Sequence, residues 1–190
     1  MTPQRMLAAA GLLLASAPAL AHTGLHVGGF ASGASHPFMG LDHLLAMVLV
    51  GFWAAQQQGP WQRLAPPLAF VGAMALGGYL GQAGFALLQV ETGIALSVLA
   101  LGLLTAFAVR LPSVASLLVI GGFALFHGHA HGAEMPAVAL WTYMPGFILA
   151  TALLHGLGYF SASSLVDSRS VWVRGAGLVS ALAGGGMLVG

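Results

Sequence analysis

Eight residues, His36-Pro37-Phe38-Met39-Gly40-Leu41-Asp42-His43, set two imidazoles and a carboxylate at the threshold of an apolar run from Leu44 to Ala55. Imidazole nitrogen and carboxylate oxygen are ligands for borderline divalent metals. Asp42 and His43 lie one and a half to two helical turns from His36, so all three converge if the chain before Pro37 folds back. Pro37 suits the first helical position, where its missing N–H costs nothing. The alternative reading is a helix cap with interfacial polar residues. Against it stands the bilayer, which charges roughly 2.5–3.5 kcal/mol for an Asp at a helix centre.

A second constellation follows later, Phe126-His127-Gly128-His129-Ala130-His131-Gly132-Ala133-Glu134. His127 and His131 are four apart and share one helix face, the spacing that lets two imidazoles hold one ion. Glu134 can ligate, or orient a ring through a hydrogen bond behind it. His129 projects to nearly the opposite side and falls outside that pair. Further on, Ala152-Leu153-Leu154-His155-Gly156 echoes the start of this motif. His155 reads as an exit-side ligand or proton acceptor, or as a packing histidine bonded to a carbonyl. The methionines Met39, Met47, Met74 and Met144 are scattered and read as apolar filling.

The chain around these residues is 58% hydrophobic and 5% charged over 190 residues. Soluble domains carry about 25% charged residues, so this composition belongs to an integral membrane protein whose first partner is the lipid bilayer. Lysine is missing from the sequence and the count of cysteine is 0, which removes disulfides and thiolate chemistry together. No basic patch invites nucleic acid. Eight histidines beside so few charges point to metal or proton chemistry.

The elements that must position the histidines follow from apolar length. Residues 1–21 read as a cleavable signal peptide: Arg5, an apolar stretch too short to span, then Ala19-Leu20-Ala21. Cleavage after Ala21 leaves His22 as the new N-terminus, where amine and imidazole together can chelate a metal, or where it is merely exposed. Residues 22–35 read as an outer loop folding over the first helix. Six apolar segments then follow, at about 37–57, 66–86, 92–109, 113–131, 137–160 and 173–189. The expected fold is therefore an all-α six-transmembrane-helix bundle, a single domain over 22–190. Gly77, Gly81 and Gly84, and Gly184 to Gly186, read as close-packing positions between helices.

With the mature N-terminus outside, Arg63, Arg110, Arg169 and Arg174 all fall in cytoplasmic loops, as the positive-inside rule expects. The first helix then enters from outside and the fourth leaves to the outside. Both histidine motifs reach the same level of the bilayer, the outer one, while His155 lies deep towards the inside.

At these residues the chain also resembles the HupE/UreJ nickel permeases. H-P-F-M-G-L-D-H and F-H-G-H-A-H-G-A-E look like that family's two signature motifs, and the His22-Thr23-Gly24 start and six-helix layout fit as well. The resemblance spans the mature chain and implies secondary uptake of Ni²⁺, or of Co²⁺, for hydrogenase or urease maturation in a bacterial inner membrane. It carries His36, Asp42, His43, His127 and His131 over as metal-handling positions. A His/Asp site suits Ni²⁺, Co²⁺ and Zn²⁺ alike. No Walker A motif is present to couple ATP, and assembly as a homo-oligomer stays open. Two other readings of the residues stand beside a permease. One is an intramembrane zinc-dependent hydrolase, in which a bound zinc activates water. The other is a metal sensor or chaperone.

Overall fold

Apolar stretches broken by Gly, Pro and short polar turns fold here as helices throughout. The computed structural model describes residues 29–135, 137–165, 167 and 169–190. The signal-peptide reading and His22 lie outside the described residues. Seven α-helices cover the remainder: α1 (Phe30–Ser35), α2 (Leu41–Gln56), α3 (Pro60–Gln82), α4 (Val90–Ala106), α5 (Ser113–Glu134), α6 (Ala137–Phe160) and α7 (Val171–Val189). No strand occurs among the described residues.

Among the described residues, four helices are long and apolar enough to cross a membrane: Pro60–Gln82, Ser113–Glu134, Trp141–Ser163 and Val171–Val189. A fifth span arises if the bent pair Phe30–Phe38 and Leu41–Gln56 is counted as one. Val90–Ala106 is apolar but has only 17 residues. Among the described residues six apolar segments are thus present, of which four or five meet the length of a span.

The first segment departs most from expectation. Residues 30–35 are a helix, where the sequence reads as loop, and His36–Phe38 form a 3-10 turn with Pro37 in its first turn. Helix α2 starts only at Leu41, and the two pieces meet at 83°. Gly40, extended at φ −112°, makes the corner. Its missing side chain is a requirement of space: a Cβ there would lie 2.6 Å from Asp42 Oδ1 and 3.2 Å from His43 Nδ1. The second segment begins earlier than expected, at Pro60, and carries Pro66 and Pro67 inside the helix.

Close backbone approaches join the helices in pairs. Helix α3 lies along α5, α4 along α7, and α1 and α2 against α6. A Cβ on Gly128 would meet the Met74 carbonyl, and one on Gly132 the Gly78 carbonyl. Between α2 and α6, a Cβ on Gly51 would meet the His155 carbonyl. Small residues permit such contacts where lipid offers no hydrophobic drive between helices. The core between them holds Met47, Trp53, Phe70, Met74 and Phe147, all fully buried. Leucines at 68, 118, 153 and 182 point outward and are more than half exposed, as a lipid-facing belt requires.

The two ends of the bundle differ in chemistry. Helices α2 and α4 finish together: Trp53 Nε1 donates to the Val109 carbonyl at 2.8 Å, and Gln56 Nε2 to Thr105 at 3.0 Å. Here Arg63 Nε donates to the Gln57 carbonyl at 2.9 Å and Arg174 Nε to the Ala106 carbonyl at 2.7 Å. Cations and helix C-terminal carbonyls are natural partners. The opposite end gathers the start of α2, the end of α5 and the first turns of α6, and with them His36, His43, His127, His129 and His131.

Candidate metal centre

The 3-10 turn swings His36 back over the start of α2, which is the fold-back that its spacing from Asp42 and His43 demands. His36 comes to rest against a residue of α5, its ring 4.3 Å from that of His131, and 5.6 Å from that of His43. One nitrogen from each of His36, His43 and His131 lies within 4.8 Å of the others. Three nitrogens around one ion, at metal–nitrogen lengths of about 2.1 Å, stand about 3.0–3.6 Å apart. The trio is looser than that, so its rings must turn inward to share an ion. His43 and His131 are buried, and His36 is half-buried and forms the accessible side.

Asp42 stands behind His43. Its Oδ1 accepts from the His43 backbone N–H at 2.7 Å and from Nδ1 at 2.8 Å. A carboxylate accepts only, so Nδ1 carries the hydrogen and Nε2 of neutral His43 is a bare lone pair. That lone pair lies 2.8 Å from His131 Nε2, so in the neutral pair His131 donates. The carboxylate fixes tautomer and ring plane, the usual arrangement behind a ligating histidine. It also sits in the first turn of α2, where the helix dipole favours negative charge.

His127 and His131 share a face of α5, but they do not share a place. His131 joins the trio; His127 lies one turn deeper, its ring 5.0 Å from and perpendicular to that of His43. Ser97 Oγ donates to the Ile94 carbonyl at 2.6 Å and thus accepts from His127 Nε2 at 2.8 Å. This leaves His127 Nδ1 bare, buried and without a partner among the described residues. His129 turns away, with Nε2 donating to the Phe85 carbonyl at 2.6 Å. Glu134 is exposed at the last residue of α5 and lies outside the trio. His155 is far from it along α6, with Nδ1 donating to the Met47 carbonyl at 2.7 Å.

Three contributors escaped the reading of the sequence. Tyr143 and Phe147, one turn apart on α6, wall the trio: Phe147 packs 4.8 Å from His131, and Tyr143 5.8 Å from His36. Both are buried. Their i,i+4 spacing is visible in the chain, but nothing in it says which aromatics of an apolar segment face inward. Ser97 carries no local signal at all.

A family model described as HupE / UreJ protein matches residues 10–187 of the chain. The chain is also similar to Protein HupE of Rhizobium leguminosarum bv. viciae, at 51% identity over 172 residues covering 90% of each. No solved structure matches it.

Proposed function

The chain belongs to the HupE/UreJ family, and from that premise we propose that it is a secondary transporter of a divalent late first-row cation. Nickel is the leading cargo, with cobalt or zinc as the alternatives, and the purpose is maturation of a hydrogenase or urease. The setting is a bacterial inner membrane, crossed six times, with the histidine end outside. The carrying observation is the trio: three ligand nitrogens from a turn, α2 and α5 converge inside an apolar bundle. Such polar convergence at membrane depth marks an ion pathway rather than packing.

In this reading His36 receives the ion at the accessible side. His43 and His131 replace its hydration shell, Asp42 offsets its charge, and His127 offers the next bare nitrogen inward. His22 would assist capture through its free amine. His129 and Glu134 stay outside the coordination set. An inward membrane potential supplies about 2.3 kcal/mol per charge per 100 mV, enough to pull a dication through without ATP. The test is initial-rate uptake of radioactive nickel by cells expressing the chain, with unlabelled cobalt and zinc as competitors. Uptake above vector controls that is abolished by His131→Ala at equal protein level is expected. Uptake equal to the controls would reject the transporter.

A further inference from the structure

A second buried imidazole is built like a ligand and has nothing to bind. His155 is 3% exposed. Its Nδ1 lies 2.7 Å from the Met47 carbonyl, which can only accept, so Nδ1 holds the hydrogen and Nε2 the lone pair. That Nε2 is buried without a partner among the described residues. Buried polar atoms are nearly always satisfied, so an orphan needs a reason.

Its surroundings supply one. Thr151, one turn earlier on the same face of α6, brings its hydroxyl to 3.3 Å from Met47 Sδ and 3.7 Å from Met74 Sδ. One hydroxyl hydrogen can serve only one sulfur at a time, so thioether lone pairs remain free. Met47, Met74 and Thr151 are each 0% exposed. Two thioethers thus meet one hydroxyl, on a residue one helical turn from the bare imidazole nitrogen of His155.

The position lies on a line from the outer trio to the arginine end. The Phe70 ring packs 5.5 Å from that of His127 and 5.1 Å from that of His155, so one aromatic touches both imidazoles. Beyond, His155 lines a cavity of about 520 Å³ between α3 and α6, whose other walls include Pro60, Arg63, Leu64 and Tyr159. Among the residues that line this cavity, His155 is the one that offers an imidazole.

We propose that His155, with Met47, Met74 and Thr151, forms an inner station that holds the transported cation before its release into the cavity. The proposal rests on the transporter reading and adds a second site to it. Nitrogen with thioether sulfur selects borderline to soft late first-row ions over Mg²⁺, Ca²⁺ or Mn²⁺, which prefer oxygen. Two stations of moderate affinity serve conduction better than one tight site, because an ion must leave as well as enter.

The experiment measures Ni²⁺ bound to the purified full chain by equilibrium dialysis, with uptake in cells beside it. His155→Asn is the informative change: its amide nitrogen can still donate to the Met47 carbonyl, while the ligand atom is lost. The wild-type chain should hold two ions and His155→Asn one, with an unchanged unfolding midpoint and at least tenfold lower uptake. His43→Ala should lose the other ion. Met47→Leu with Met74→Leu, which conserves volume, should weaken the inner ion at least tenfold. One ion in the wild type, lost in His43→Ala and kept in His155→Asn, overturns the inner station and leaves the transporter standing. No ion in the wild type overturns both. Wild-type uptake by a stable His155→Asn chain also overturns the station.

Discussion

His43 and Asp42 act as one unit, because the carboxylate decides which nitrogen of the ring is left bare. Asp42→Asn keeps the size but loses the charge and one of the acceptor geometries. Groups placed behind a ligand in this way typically contribute 10–100-fold to affinity or activity. Nickel uptake should fall within that range, with protein level unchanged on a blot. Gly40→Ala should move uptake the same way, since its Cβ would press on the carboxylate and ring that Asp42 and His43 share. Wild-type uptake in both variants would free the pair from the site. Residues that act together also lose together. His43→Ala and His131→Ala should each remove most uptake, and the double change should be little worse than either. His129→Ala, bonded away to Phe85, should cost much less. If the two single losses multiply, or His129 matters as much as His131, the single-site arrangement is wrong.

Among the elements, the pairing of α3 with α5 carries the site, because α5 brings His127 and His131 into place only if its backbone reaches that of α3. Gly128 makes this contact: a Cβ there meets the Met74 carbonyl carbon and oxygen and, at 2.9 Å, the Gly78 nitrogen. Backbone cannot yield as a side-chain tip does. Gly128→Ala should therefore destabilise by about 1–3 kcal/mol, the cost of overpacking. Gly122, on the same helix, has nothing within 4 Å of its would-be Cβ. Gly122→Ala should be neutral or stabilising by up to about 1 kcal/mol through helix propensity. Unfolding midpoints in detergent compare the two, and equal shifts would remove close packing as the explanation. The same contacts show what the sequence could and could not tell. The all-helical character of the chain and the shared face of His127 and His131 on α5 were legible, because each is a local property of one helix. The 83° corner at Gly40 was not, since Pro37 fits a helix start as well as a 3-10 turn. The depth separating His127 from His131, and the inward faces of Ser97, Tyr143 and Phe147, were hidden for another reason. In lipid both faces of a helix are apolar, so no polar stripe marks which side looks inward.

At the scale of the whole molecule, Arg63, Arg110, Arg169 and Arg174 lie at the end opposite the histidine trio, and that asymmetry supports the proposed orientation. Arg63 and Arg174 cap helix ends where α2 and α4 finish, and Arg110 and Arg169 flank the neighbouring helix ends. Arginine near membrane-spanning segments stays on the cytoplasmic side. Exposed Trp61 and Trp172 stand at the starts of α3 and α7 beside these arginines, and exposed Trp141 stands towards the other end. Tryptophans at both ends match the two interfacial belts of a bilayer. In the proposed orientation the trio faces the outer side, where an imported ion would first meet the protein, and the cavity beside Arg63 and His155 faces the inner side. Reporter fusions at Gln58 and Ser163 should read cytoplasmic, and a fusion after Gly190 should read external. An external reading at Gln58 would invert the bundle and turn the trio into an exit site. A cytoplasmic reading after Gly190 would instead mean that one apolar segment does not cross. Val90–Ala106, the short 17-residue helix, is the first suspect. It needs bilayer thinning or snorkelling flanks to span, and fusions at Phe85 and Arg110 would decide its case directly.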